Sequence, residues 1–272
     1  MQGSFSGSPS LAPEEADSWT AGFVYEPSFV RGLTVSADYI AVDLSKRIFP
    51  TNLVDAQNFC YDSPSFPDNS PEFGANTCGF FVRDAQFQVT DGFQSGFLNL
   101  AATRLRAASG LVAYENDLAN LFASERNLGR VDLELEVFHL IKFQDSASGR
   151  FNDIRESQGS FERPEWRAKF RARYDYEAFA AQWTMNWRDS TIIYSGGTPA
   201  TIDNQAIIGY PSTQTHDFTL QYRFGGDKRP YRAQFTVVNA FDETTAGDAG
   251  LLNGAYVDQL GRRWVMTVTA DF

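Results

Sequence analysis

Long apolar runs are missing from this chain. No stretch of its 272 residues approaches the ~18 consecutive apolar residues of a transmembrane helix, and the mean hydropathy is −0.33. A spanning helix is excluded. A β-barrel is not, because its strands alternate lipid-facing and lumen-facing residues and never look apolar in a window average. Positive charge is also short: 23 Lys and Arg stand against 34 Asp and Glu, for a formal net charge of −11. No basic block is present to neutralise phosphates, so nucleic acid is not an expected partner.

Catalytic and metal-binding patterns are equally sparse. The only two histidines, His139 and His216, have no ligand spacing around them; an aromatic-girdle or loop position explains each better than metal ligation. No metal or cofactor is expected. No nucleophile elbow, phosphate loop or paired Cys and His set occurs. Carboxylate pairs of glycosidase type are unavoidable by chance among 34 acidic residues. The chain does not read as an enzyme. Residues 1–13 are small and polar, without the charged n-region and apolar h-region of a signal peptide; an exported protein would carry its signal further upstream. The two cysteines, Cys60 and Cys78, lie in a stretch rich in Pro, Asn, Asp and Ser. They read as a loop-stapling disulfide in an exported chain and as ordinary thiols in a cytosolic one. Metal binding is the weakest option, since no His or further Cys stands near.

Aromatic residues are abundant, at 15% of the chain, with 24 Phe, 11 Tyr and 5 Trp. They fall into alternating runs. At the C-terminus Trp264, Met266, Val268, Ala270 and Phe272 share one face, against Arg263, Val265, Thr267, Thr269 and Asp271. Tyr231, Ala233, Phe235 and Val237 repeat the pattern, as do Phe218, Leu220, Tyr222 and Phe224, and Phe179, Ala181, Trp183, Met185 and Trp187. In 166–176, Trp166, Ala168, Phe170, Ala172, Tyr174 and Tyr176 oppose Arg167, Lys169, Arg171 and Arg173. The steps from Trp166 to Tyr174 span about 26 Å, or roughly 20 Å of height in a tilted strand, close to the apolar band between two aromatic girdles.

In the neighbouring run 129–143, Val131, Leu133, Leu135 and Val137 oppose Asp132, Glu134 and Glu136. Four inward cations beside three inward anions are costly in a dry core and comfortable in a wet lumen. Antiparallel pairing of these strands sets Asp132 against Arg173, Glu134 against Arg171 and Glu136 against Lys169, a charge ladder on the lumen wall. The plainer role for the cations is to pair with these acids, rather than to touch an anionic substrate.

Further strands are expected over 19–27 and 33–44, with a long one ending near Asn116. Short connections (28–32, 117–128, 175–178, 225–230) alternate with long ones (45–85, 144–165, 189–212, 242–261), the arrangement of periplasmic turns and external loops. About nine strands result. An odd number makes the first and last parallel, so the chain cannot readily close on itself and looks like part of a larger antiparallel up-and-down transmembrane β-barrel.

Several motifs then resemble one family, the TonB-dependent receptors. Residues 7–20, from Gly7 through Pro9, Leu11, Pro13, Glu14 and Ser18, resemble the "GNPxLxPExxxSxxxG" opening of a late barrel strand, with Ser8 in place of Asn. The run Leu33-Thr34-Val35-Ser36-Ala37-Asp38-Tyr39 resembles the strand that follows. Val238-Asn239-Ala240-Phe241-Asp242-Glu243 is similar to the "NLFD" turn, and Gly261-Arg262-Arg263-Trp264 with Phe272 to the "GRxW…F" final strand. Gly110-Leu111-Val112-Ala113-Tyr114 departs from the family's acidic "GVELE" strand.

The resemblance covers nearly the whole chain. It implies that residues 1–272 are the C-terminal portion of such a barrel, without the plug domain, in the outer membrane of a Gram-negative bacterium. It places Cys60 and Cys78 at an external-loop disulfide, and makes 264–272 the strand offered to the barrel assembly machinery. The implied function is uptake of a scarce small ligand, such as a metal chelate, vitamin or oligosaccharide, energised by TonB through a plug that this chain lacks. Implied partners are outer-membrane lipid and the missing plug and upstream strands. The rival readings are a self-contained or assembled passive barrel and, third, a soluble β-sandwich binding module.

Overall fold

The computed structural model describes residues 3–7, 11–70, 76–90, 92–147, 154–160, 163–192, 194–195, 198–199, 209–225, 231–244 and 260–270. In chain order its strands are β1 Gly3–Ser6, β2 Glu15–Tyr25, β3 Leu33–Thr51, β4 Phe93–Asp117, β5 Arg130–Ser146, β6 Arg155–Glu156, β7 Trp166–Tyr176 and β8 Phe179–Arg188. Four two-residue strands follow, β9 Thr191–Ile192, β10 Tyr194–Ser195, β11 Thr198–Pro199 and β12 Gly209–Tyr210; then come β13 Thr213–Phe224, β14 Tyr231–Val238 and β15 Arg263–Ala270. One sheet takes nine of them in the order β15-β14-β13-β8-β7-β5-β4-β3-β2, with β1 on β4 and β6 on β5. The long strands are thus neighbours in chain order. Among the described residues β2 and β15 are edges and do not pair.

The nine expected strands are present, with differences in extent at β2, which runs Glu15–Tyr25 rather than 19–27, and at β3. β3 continues past Leu44 to Thr51; Lys46 takes a left-handed φ of 52° inside it, which breaks the alternation that marks a strand in sequence. β13 begins at Thr213, where the expected connection 189–212 ends. β1 was not expected at all. It pairs in parallel with the start of β4, Gly3 opposite Phe93. Phe272, the motif residues 8–10 and the turn 226–230 lie outside the described residues.

The contacts divide the chain into two compact units, one of residues 1–19, 41–106 and 142–157, the other of 20–40, 107–141 and 158–272. The first unit has a small apolar core. Helix α1, Leu53–Tyr61, starts at Asn52, whose side chain accepts from the Asp55 N–H while the Asp55 carboxylate accepts from the Asn52 N–H, a reciprocal cap that fixes where the helix begins. Its inner face buries Ala56, Phe59 and Cys60. Phe59 packs with Leu98 and Leu100, and Ala56 and Cys60 with Phe81. Asn69, fully buried, donates to the Phe59 carbonyl and to Thr77 Oγ1 and accepts from the Thr77 N–H, so its amide does not go unsatisfied. The segment expected to be a plain loop over 45–85 is therefore a folded module. In the same unit the Asn99 side chain holds both backbone groups of Ala12 and the Lys46 carbonyl, and Glu14 accepts from the Ile48 N–H. These bonds fasten the Pro13-Glu14 motif beside β3.

The second unit is built the other way round. Its register is continuous: Val131, Leu133, Leu135 and Val137 of β5 face Tyr174, Ala172, Phe170 and Ala168 of β7. Ala172 in turn faces Trp183 of β8, which faces Phe218 of β13, then Val237 of β14 and Trp264 of β15. Directly opposed residues share a face, so one apolar face runs from β5 to β15. It is not a core. Leu220 is 48% exposed, Tyr222 55%, Trp264 64% and Met266 74%. At the ends of the strands the rings gather: His139 stacks on Trp166 near the long connections, and Tyr174 on Tyr176, Tyr222 on Phe224 and Phe224 on Tyr231 near the short ones. A two-sheet sandwich would bury this face.

Candidate functional site: a charged strand face and a stapled module

The polar face of the second unit follows from the same alternation. Rows of opposed residues cross the strands: Phe138, Arg167, Arg188 and Thr213, then Glu136, Lys169, Asn186 and Thr215, then Glu134, Arg171, Thr184 and Asp217, then Asp132, Arg173, Gln182 and Thr219. The register of β5 against β7 is the expected one, with Asp132 opposite Arg173, Glu134 opposite Arg171 and Glu136 opposite Lys169. It is held at the short-turn end by Gly129, whose φ is 83° and where a Cβ would meet the Asp175 carbonyl at 2.6 Å and the Tyr174 ring at 2.7 Å. Tyr174 also donates its hydroxyl to the Leu128 carbonyl.

Facing positions do not by themselves make ion pairs, and the ladder is only partly formed. Arg171 binds Glu134 at 2.7 Å. Arg173 does not bind Asp132 but forks onto Asp175, two residues along its own strand, at 2.6 Å through both Nε and Nη2. Among the described residues Glu136 and Lys169 make no ion pair. The reason is geometric: a residue two along a strand lies on the same face and within reach of a long side chain, so Asp175 competes with Asp132 for one guanidinium.

The rest of the face is polar and mutually bonded. Thr219 meets Thr236 at 3.0 Å, and Gln221 donates to Gln234 at 2.7 Å. The expected cations are not the whole set. Arg130, Arg188, Arg223, Arg232 and Arg263 occupy the same face by register, joining Arg167, Lys169, Arg171 and Arg173 against Asp132, Glu134, Glu136, Asp175 and Asp217. Cations are thus in excess on this face of a chain whose formal charge is −11. The same alternation sets Arg188, Arg223, Arg232 and Arg263 on the polar sides of their runs in the sequence. Toward the long connections the face opens into a cavity of about 850 Å³ bordered by Arg167, Lys169, Arg188, Glu136, Asp38 and Glu243.

The two histidines sit on the other face. His216 accepts from Trp183 Nε1 at 3.0 Å and its ring stacks on the same indole; His139 lies 3.8 Å from the Trp166 ring centroid. Trp264, Met266, Val268 and Ala270 of β15 stand opposite Val237, Phe235, Ala233 and Tyr231, at the edge of the sheet.

In the first unit, Cys60 and Cys78 form a disulfide with their Cα atoms 4.8 Å apart, within the span that such a bridge allows. It joins the end of α1 to the short 3-10 turn Thr77–Phe80. Beside it, Arg83 lies over the rings of Tyr61 and Phe81 and donates to the Tyr61 hydroxyl and the Phe87 carbonyl. Asp43 binds both Arg104 and Arg106, at 3.0 and 2.7 Å, and Thr103 donates to Asp145 at 2.7 Å.

Known structures share this arrangement. A variant of the ferric enterobactin receptor PfeA from Pseudomonas aeruginosa superposes with a TM-score of 0.58 at 14% identity over 95% of this chain and 31% of its own. The ferric citrate transporter FecA gives 0.52 at 16% identity over 95% and 32%. The copper transporter OprC gives 0.51 at 13% identity over 97% and 33%. At such identities the likeness establishes the fold, and the chain spans about a third of the length of these structures. No curated protein matches the sequence. The chain is all-β, a partial antiparallel up-and-down barrel of the kind these receptors carry. A family model for the TonB dependent receptor-like β-barrel matches residues 1–240, and the chain belongs to that family.

Proposed function

We propose that residues 1–272 are the C-terminal portion of a TonB-dependent receptor barrel in the outer membrane of a Gram-negative bacterium, and that they supply wall and external loops for uptake of a scarce small ligand. The observation that carries this reading is the inverted second unit, with an exposed apolar face closed at both ends by stacked aromatic rings and a charged face behind it. Such a sheet suits lipid on one side and water on the other. The receptors it resembles are named for ferric enterobactin, ferric citrate and copper, so a metal chelate heads the classes of ligand, ahead of vitamins and oligosaccharides. Coupling to TonB, gating by a plug and delivery by the assembly machinery belong to the whole receptor. The lumen role of Asp132, Glu134, Glu136, Arg167, Lys169, Arg171 and Arg173 is part of the proposal, as is the use of β15 in assembly. A passive barrel closed by this chain alone gains no support from a sheet whose edges β2 and β15 do not pair among the described residues.

The test places single cysteines at Leu220 and Thr219 in a background with Cys60 and Cys78 replaced by Ser, and reconstitutes the chain in lipid vesicles. Quenching of a Leu220 label by a lipid-borne quencher, with the Thr219 label open to a water-soluble one, is the expected result. The reverse pattern, or equal access, overturns the reading.

A further inference from the structure

His216 lies half-buried on the apolar face of β13, opposite Met185 of β8. Its Nδ1 is 3.0 Å from Trp183 Nε1; an indole nitrogen only donates, so Nδ1 is bare and the neutral ring carries its proton on Nε2. The Gln214 amide lies 3.0 Å from that Nε2 and accepts there when its oxygen is turned towards the ring. The tautomer is thereby set. On another side the imidazole meets Phe241 edge to face, with centroids 4.9 Å apart. Phe241 belongs to a closely bonded turn. Asn239, buried and with a φ of 51°, gives its N–H to Asp217 and bonds both backbone groups of Glu243 through its side chain. The Ala240 N–H binds the His216 carbonyl at 2.7 Å, and Asp242 accepts from the Arg262 N–H. Residues 239–243 thus tie β13 and β14 to the approach to β15, where the last long connection begins.

Among the described residues no charged side chain faces this imidazole. β8 presents Trp183, Met185 and Trp187 to it, β13 itself Gln214 and Phe218, and the turn Phe241. The carboxylates nearest in sequence, Asp217 and Asp242, accept from the backbone N–H groups of Asn239 and Arg262. A second proton on His216 would find no counter-ion there.

We propose that His216 is an acid-sensitive latch on the turn 239–243. Histidine is the side chain that gains charge in the mildly acidic range. A proton added at Nδ1 sets two N–H groups against each other across 3.0 Å and leaves the indole N–H without an acceptor on an apolar face. The ring then turns away from Trp183, and the edge-to-face contact that seats Phe241 goes with it. Trp183 approaches through its N–H, the positive edge of the indole, so attraction of a cation to a ring face does not offset the loss on that side. The latch goes beyond the receptor reading and rests on it only for its biological setting, an external medium of changing pH.

The experiment uses the whole chain in detergent micelles between about pH 8 and about pH 5. Nitrogen NMR of the histidine rings, with His139→Gln to assign them, is expected to show a bare Nδ1 and a protonated Nε2 on His216 at the higher pH. Glu243→Cys supplies the only free thiol, since Cys60 and Cys78 are bonded to each other, and carries a nitroxide. The motion of that label is expected to quicken as His216 takes up its second proton. His216→Gln loses the response and His139→Gln keeps it. Should His216→Gln fail to fold, Trp183→Phe serves in its place: with the indole donor gone, His216 still titrates and the label no longer follows. A proton on Nδ1 of the neutral ring, a response that survives His216→Gln or Trp183→Phe, or a label that slows or does not change in acid overturns the proposal. The vesicle labelling of Leu220 and Thr219 does not involve His216, so loss of the latch leaves the receptor reading standing, and failure of that labelling leaves the latch to be judged by its own titration.

Discussion

The two units of this chain solve opposite solvent problems with the same residue types. In the first, Phe59, Phe81, Leu98 and Leu100 are buried around a disulfide and a capped helix, as in any small water-soluble domain. In the second, Phe218, Leu220, Phe235, Trp264 and Met266 are all exposed, and of the large apolar residues only Leu140 and Tyr210 are buried among those described. Hydrophobicity by itself does not say which side is inside. What distinguishes the units is the company the apolar residues keep: charges behind an apolar strand face require water there, and then the apolar face must find another solvent.

The contrast breaks first, and hardest, in the first unit. Phe59→Ala removes a ring packed on Leu98, Leu100 and Phe49 and is expected to cost about 3–5 kcal/mol of the module's local stability. Hydrogen exchange checks it: amides of α1 and the Thr77–Phe80 turn lose protection while those of β7 and β8 keep theirs. If β7 and β8 lose protection equally, the units do not fold on separate terms. Replacing both Cys60 and Cys78 by Ser opens a loop of sequence separation 18, expected to cost about 3 kcal/mol in the same amides. Reduction of the native chain should give the same pattern.

In the second unit the sign of the argument reverses. Leu220 faces Phe235 and Ala181 in the middle of the apolar face and is already 48% exposed. In a water-soluble sheet Leu220→Arg would be nearly neutral. In a bilayer it is expected to cost roughly 2–4 kcal/mol, against less than about 1 kcal/mol for Thr267→Arg on the polar face of β15. Urea titration of the vesicle-inserted chain measures both. Equal costs would show that the apolar face does not meet lipid.

Much of this organisation is legible in the sequence, because a strand writes its two faces as alternating letters. Trp166–Tyr176 and Phe179–Arg188 can be bounded to the residue, and the pairing of β5 with β7 follows from their common turn. What alternation does not encode stays hidden. Lys46 shifts the phase of β3 with a single left-handed residue, so that strand reads short. The module over 53–90 has neither a two-residue nor a clear helical period, and its core is held by Asn69, whose bonds to Phe59 and Thr77 no local pattern announces.

The smallest expected effect is the most discriminating. Glu134 and Arg171 form the one direct rung of the ladder, at 2.7 Å, with side chains 23% and 36% exposed. If the polar face were a dry core, Glu134→Gln would strand a buried guanidinium and cost about 3–5 kcal/mol. On a wetted face the pair is screened, the amide of Gln still accepts from Arg171, and the loss should be below about 1 kcal/mol. A double-mutant cycle with Arg171→Gln isolates the coupling, and repeating it at high salt adds a second axis, because screening acts on a wet pair and hardly on a dry one. A coupling under about 1 kcal/mol that shrinks further with salt is the expected result. A coupling near about 3 kcal/mol that ignores salt would put this face out of reach of water. The apolar face would then no longer need lipid, and the two units would be variations on one kind of core.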